Sequence, residues 1–333
     1  MAAVHRAARG GAGELTTVTT RGYNRRQMRV AASSENGVAH PGGHRSAQPP
    51  PASLPTSQVV NIASVPHRSP FRYPGGKTWF VPLVRRWLAS LARKPKSFAE
   101  PFGGGGIVGL SVVFEDLANT LTLVEMDENV GSVWRVMLNG KSKQLAERIT
   151  AFEMNEKAVR KILSVEASDL LDRAFATIVR NRVQRGGIMA PGAGLMSKGE
   201  NGRGIASRWY AETLSKRITE IAKRKSRITF TQGDGIQFLR DHAKRKDMVF
   251  FIDPPYTVAG RRLYLHSDID HEELFRVVAS TKSDFLMTYD NAGPVRTLAL
   301  KFGLDTQEVV MKTTHHTVMN ELLIGRDLEW LRV

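Results

Sequence analysis

The sequence predicts an α/β protein with an open, mostly parallel Rossmann-like sheet, an antiparallel terminal hairpin and a mainly helical insertion. Three observations predict it. Short apolar runs bounded by turn residues alternate with segments of helical period. The last two runs lie too close together for a crossover helix, which makes them an antiparallel pair. The mostly helical block 150–225 interrupts the alternation, which marks an inserted second domain.

Residues 1–67 stand outside the pattern. They are rich in Ala, Gly, Ser, Thr and Pro, include "QPPPASLP", and carry seven Arg, two Glu and no Lys or Asp. Such a segment buries too little apolar area to offset chain entropy, so a disordered Arg-rich tail is expected. An organelle transit peptide shares the composition but calls for an amphipathic helix that this segment lacks.

The pattern proper starts near Phe71. In "VPLVRRWLASLARK" (81–94), Val81, Val84, Trp87, Leu88 and Leu91 fall on one helical face, with Pro82 near the helix start. "SFAEPFGGGG" reads as a strand running into a glycine turn, "IVGLSVVFEDL" as the next helix and "TLTLVEMDEN" as the second strand. Helical periods fill 129–180, a glycine-rich basic stretch runs 185–205, and an amphipathic helix is expected at about 208–224. "SRITFTQGD", "DMVFFIDPP", "SDFLMTYDN", "LDTQEVVMKTTH" and "NELLIGR" complete the strands.

Charge is concentrated in the insertion. The chain carries a net +16, and residues 180–229 alone hold twelve Lys and Arg against three Glu. Segregated positive charge of this kind points to phosphate contact, with Arg180, Arg182, Arg185, Arg203 and Arg208 as candidates. Trp209 and Tyr210 lie among these bases, where an aromatic stacks on or wedges between nucleobases. The 333 residues include no Cys. That excludes disulfides, thiolate metal sites and thiol nucleophiles. No apolar run approaches the ~20 residues of a membrane span.

Four stretches carry chemistry. "AEPFGGGGIVG" (99–109) is a strand, a glycine turn and a helix start, where backbone approaches a ligand and free amides face it. About 20 residues on, "VEMDEN" offers an acid suited to a ribose diol, Asp127 with Glu125 as competitor. "SPFRYPGGKTWF" (69–80) supplies Tyr73 for a flat ring and Lys77 for a carboxylate. "IDPPY" ends a buried strand in a carboxylate, two prolines and a tyrosine. As the fourth strand of a doubly wound sheet, it sits beside the glycine turn at the topological switch point, where ligands bind.

In this order, "RYPGGK", "EPFGGGG", "MDEN", "GDG", "IDPPY", "MTYDN" and "NELLI" resemble the Dam-type adenine-specific DNA methyltransferases, over about residues 69–326. The resemblance implies the adenosylmethionine-dependent methyltransferase fold. Residues 68–149 and 226–333 would then form the catalytic domain, and 150–225 a target-recognition domain. Tyr73 and Lys77 would contact S-adenosylmethionine, Phe102, Gly104 and Gly106 would form the turn beneath it, and Asp127 would take the ribose hydroxyls. Asp234 would lie near the cofactor adenine. Asp253, Pro254, Pro255 and Tyr256 would form the target-base site, with Asp253 also close to the cofactor. The expected partner is double-stranded DNA, met by a monomer in the cytoplasm at the nucleoid, with no metal and no membrane. The segment after "PGGK", much of 185–210 and the four consecutive glycines depart from better-known members, which bears on sequence preference.

The chemistry needs these residue types. An adenine amino group is a weak nucleophile because its lone pair is delocalised into the ring. A carboxylate and a neighbouring carbonyl accepting its two N–H bonds turn that lone pair toward a sulfonium methyl group, with Tyr256 as a face for the flipped base. Methylation at cytosine carbon 5 requires a cysteine nucleophile and is excluded. The same machinery could act on RNA or a protein amide, and a decayed, non-catalytic DNA-binding relative is a further alternative. A nicotinamide oxidoreductase fits the glycine pattern poorly. His271, His315 and His316 lack ligand spacing and read as structural or surface groups.

Overall fold

The computed structural model describes residues 65–72, 76–189, 193–199, 202–256, 269–312 and 318–332. Seven strands form one sheet: β1 (Ser97–Glu100), β2 (Thr120–Glu125), β3 (Ile228–Gln232), β4 (Met248–Ile252), β5 (Asp284–Asp290), β6 (Asp305–Lys312) and β7 (Val318–Gly325). Their order across the sheet is β3-β2-β1-β4-β5-β7-β6. The pairs among β1 to β5 are parallel, whereas β7 is antiparallel to both β5 and β6. This is the adenosylmethionine-dependent methyltransferase fold, a Rossmann-like sheet ending in an antiparallel hairpin. The hairpin folds back so that β7, not β6, lies against β5. Burial explains the choice: Leu322, Leu323 and Ile324 of β7 are fully buried, while Val310 of β6 is 57% exposed.

Alternation along the strands feeds two cores. Leu121 and Leu123 of β2, with Val249 and Phe251 of β4, face α1 (Val81–Ser90), α2 (Ile107–Phe114) and α3 (Glu128–Leu138). Val124, Phe250 and Ile252 face α8 (Gly235–His242), α9 (His271–Ser280) and α10 (Gly293–Lys301). A last helix, α11 (Glu329–Arg332), packs on α1. The expected face of α1 is buried at Val81, Val84, Trp87 and Leu88. The helix stops at Ser90, short of the expected 94: the Ser90 hydroxyl donates to the Trp87 carbonyl and the backbone turns extended at Leu91.

Between β2 and β3 stand α4 (Ser142–Ala151), α5 (Glu156–Ser164), α6 (Leu170–Val183) and α7 (Ala211–Ala222). Asn155 and Asp169 cap α5 and α6 by accepting backbone N–H bonds. α6 and α7 pack on α3, and Phe175, Ile178, Leu214 and Ile218 join the core cluster that reaches the sheet. The insertion thus shares its interior with the seven-stranded sheet. Of the expected tail, residues 1–64 lie outside the described residues, but Val65, which falls within it, is buried in the core cluster, so the 1–67 boundary lies too far along the chain.

Candidate active site

β1 ends at Glu100, and the chain turns through Pro101–Gly106 into α2. Gly106 caps α2 in the left-handed region, at φ 60°, a conformation that glycine alone adopts without strain. Trp134 of α3 closes the turn from below by donating its indole N–H to the Gly104 carbonyl at 2.9 Å. Glu125, at the end of β2, spans the gap: it accepts the amide of Gly104 at 2.9 Å and that of Asp127 at 2.8 Å. Asp127 is buried and caps α3, accepting from the Asn129 amide at 2.7 Å. Both acids named for the ribose therefore flank the glycine turn. Glu125 is the one in direct contact with it, a contact not evident from spacing.

A buried carboxyl that the sequence reading passed over lies beneath the turn. Glu100 is 5% exposed and accepts the Gly109 amide. Burial pushes its carboxyl up to about 8, against the pull of that amide, and the charge of Asp253 pushes the same way. Across the crevice, Asp234 follows β3 and caps α8, accepting the Gln237 amide at 2.8 Å. A Cβ on Gly235 would meet the Pro101 carbonyl oxygen at 2.2 Å and Phe102 at 3.0 Å. This close approach seats the Asp234 segment against Phe102.

The strand register brings "IDPPY" to the same edge. β4 lies between β1 and β5, with Ala99 opposite Phe250 and Met287 opposite Ile252. Asp253 is thus the first residue past the strand, at the point where strand order reverses. Three donors converge on its Oδ1: Thr288 Oγ1 at 2.7 Å, Lys77 Nζ at 3.0 Å and the Tyr256 hydroxyl at 3.3 Å. Oδ2 takes part in none of these contacts. Among the described residues, these donors hold one carboxylate oxygen and not the other.

Lys77 is only 5% exposed. Besides Asp253 it reaches the Tyr256 hydroxyl at 2.7 Å and Glu321 Oε1 at 3.4 Å. Burial alone would lower its ammonium, but the carboxylates of Asp253 and Glu321 more than offset this and raise it above the ordinary lysine value. Glu321 belongs to "NELLI". Its register opposite Asp290 sets it at the carboxyl end of β5, and burial raises its own carboxyl. Desolvation, then Asp253 and Glu321, raise the Tyr256 hydroxyl well above the ordinary phenol value, so it stays a neutral donor. Its ring stacks on Tyr289 at 5.9 Å, and Tyr289 in turn contacts His271 Nδ1 at 2.7 Å. His271 is therefore a structural partner. Thr288 of "MTYDN" and Glu321 of "NELLI" also belong to the site, and only strand pairing shows what they touch.

Tyr73, His315 and His316 lie outside the described residues. The candidate nucleic-acid residues divide. Arg185 and Arg203 are exposed and Arg180 and Arg208 half-exposed. Arg182 is 3% exposed and donates to the Pro70 carbonyl, so it is not a surface contact. Trp209 is also a correction: it is buried in the core, edge-on to Phe152 at 5.6 Å, and presents no stacking face. Tyr210 beside it is 47% exposed. Three further cations of the block are paired locally, Lys223 and Arg224 sharing Glu220 and Arg227 with Asp116. Among the described residues, no cluster of His, Asp and Glu could hold a metal, and no helix is long and apolar enough to cross a membrane.

No protein-family model matches the chain, and no curated protein matches it in sequence. Solved structures similar to it include an rRNA methyltransferase of Streptomyces viridochromogenes, at 14% identity and TM-score 0.38, covering 78% of this chain and 89% of that one. Spermidine synthase of Thermotoga maritima is similar at 11% identity and TM-score 0.35, covering 81% and 60%. TrmK of M. capricolum, solved with S-adenosylhomocysteine, is similar at 8% identity and TM-score 0.32, covering 73% and 68%.

Proposed function

We propose that this protein is an S-adenosylmethionine-dependent methyltransferase that methylates the N6 amino group of adenine flipped out of double-stranded DNA. The observation that carries the reading is the Asp253 carboxylate. It stands at the switch point beside the glycine turn, with Oδ1 held by Lys77, Thr288 and Tyr256 and with two prolines and an aromatic directly after it.

The residues present fit the cofactor. A turn without side chains at Gly103–Gly106 leads into the α2 N-terminus, and Glu125 and Asp127 flank it where a ribose diol needs acceptors. When bound there, S-adenosylmethionine would supply an electrophilic methyl group on its sulfonium. Asp253 Oδ2 and the Pro254 carbonyl would accept the two N–H bonds of the target amino group and direct its lone pair along the line of transfer. The prolines restrict the loop, so little ordering entropy is lost on binding. Tyr256 would offer its ring to the base. The fixed Oδ1 keeps the carboxylate from turning away. Positioning of this kind and hydrogen bonds that strengthen in the transition state supply most of such an acceleration.

The exposed arginines of the insertion support a polyanionic substrate. The test is transfer of a labelled methyl group to plasmid DNA, to total RNA and to protein in parallel, followed by digestion to nucleosides or peptides. Label in N6-methyldeoxyadenosine is the expected result; label confined to RNA or protein rejects the DNA reading.

A further inference from the structure

Arg182 and Arg217 are placed differently from the other cations of the insertion. Arg182 donates through Nη2 to the Pro70 carbonyl, yet its Nε is buried without a hydrogen-bond partner. Arg217, on α7, is half-buried and donates through Nη1 to the Ser69 carbonyl at 3.3 Å. Two guanidiniums from two helices thus converge on consecutive residues of one segment. Among the described residues, neither forms an ion pair with a carboxylate. A solvated cation face looks different: the Lys143 side chain is 86% exposed.

Among the described residues, the charges that act on Arg182 are of its own sign. Burial first, and then the charges of Arg217, Arg72 and Arg208, push the Arg182 guanidinium down to about 9. A buried cation among cations is costly unless an anion joins it. The segment that collects them is rigidly seated beside the candidate active site. Ser69 Oγ donates to the Gly105 carbonyl at 2.6 Å, and the Asn181 side chain clamps the backbone of Arg72, accepting at 2.9 Å and donating at 2.8 Å. Phe71 packs on Trp134, the residue that closes the glycine turn. Five residues beyond Arg72, Lys77 reaches Asp253.

We propose that Arg182 and Arg217 are the floor and wall of a phosphate pocket beside the glycine turn, and that its occupant is a backbone phosphodiester of the bound duplex DNA. The half-exposed Arg217 supplies hydrogen bonds in the planar fork that suits phosphate oxygens. Arg182 acts from beneath through its charge. Anchoring the strand here places a phosphate near the site that receives the flipped base. The proposal rests on the DNA reading above, but its test reads binding rather than methylation.

The probe is inorganic phosphate, followed by a duplex oligonucleotide. Phosphate should raise the melting temperature of the wild-type chain more than chloride does at equal ionic strength, and Arg217→Gln should lose most of that difference. Arg217→Gln should also weaken duplex binding about tenfold and lower the slope of log affinity against log salt by about one, with S-adenosylmethionine affinity unchanged. Arg182→Met reads the same quantities if it folds; Arg217→Gln carries the test if it does not. Equal stabilisation by phosphate and chloride overturns the proposal, as does an Arg217→Gln variant with unaltered salt slope. A loss confined to S-adenosylmethionine binding overturns it too, because the pocket would then hold the cofactor carboxylate. If the wild type binds duplex through this pocket but methylates no DNA, the pocket stands and the catalytic reading falls.

Discussion

The Lys77 ammonium lies 3.0 Å from the Asp253 carboxylate, joining a residue ahead of the first strand to one just past the fourth. With Glu321 on β7 at 3.4 Å, it forms an acid–base–acid cluster at the sheet edge in which Lys77 and Glu321 are buried and Asp253 is half-buried. Removing the cation leaves two carboxylates facing each other in a poorly solvated place. Lys77→Met should therefore destabilise the fold by about 3–5 kcal/mol. Lys77→Met combined with Glu321→Gln should recover part of the loss. Urea denaturation measures both; an unshifted midpoint in the single variant would show that the pair contributes nothing.

Glu100 makes stability depend on pH. Its folded carboxyl sits at about 8 against an ordinary 4.5. A folded value raised above the unfolded one means that the native state holds a proton the unfolded chain has released. The contribution is fully present below pH 4.5 and is lost as pH rises toward 8. Glu100→Gln keeps an acceptor for the Gly109 amide and does not titrate. It should flatten the fall in stability across that window, measured as melting temperature against pH. A variant whose profile overlays the wild type rejects the protonated form.

Trp209 separates packing from recognition. Trp209→Ala should cost about 3–5 kcal/mol as a core cavity. Trp209→Phe, which keeps most of the volume, should leave duplex affinity unchanged in an anisotropy titration. A tenfold loss of affinity in a stably folded Trp209→Phe variant would return this residue to the interface.

Close approach sets Gly235. A Cβ there meets a backbone oxygen at 2.2 Å, so the first turn of α8 must shift away from Pro101. Gly235→Ala should destabilise by about 1–3 kcal/mol and weaken cofactor binding, both readable from thermal melts with and without S-adenosylhomocysteine.

Strand and helix order, the glycine turn, the position of Asp253 and the buried face of α1 were legible because each depends on local chemistry: period, turn residues and a proline stop. Three features were not. β7 enters the sheet between β5 and β6 because of which strand buries more apolar area, a non-local choice. The partners of Lys77 come from sequence distances of 179 and 244 residues, which only the sheet register brings together. Arg182 and Trp209 read as interface from composition, since a basic run says nothing about which of its members the helix turns inward.

The central claim is that Asp253 Oδ2 receives the target amino group. The most direct measurement is the single-turnover rate of N6-methyladenine formation in duplex DNA by the wild type and by Asp253→Asn, which preserves size. The wild type should form the product, and the variant should be slower by roughly 100-fold or more while binding duplex and S-adenosylmethionine as before. A variant that methylates adenine at the wild-type rate would contradict the account.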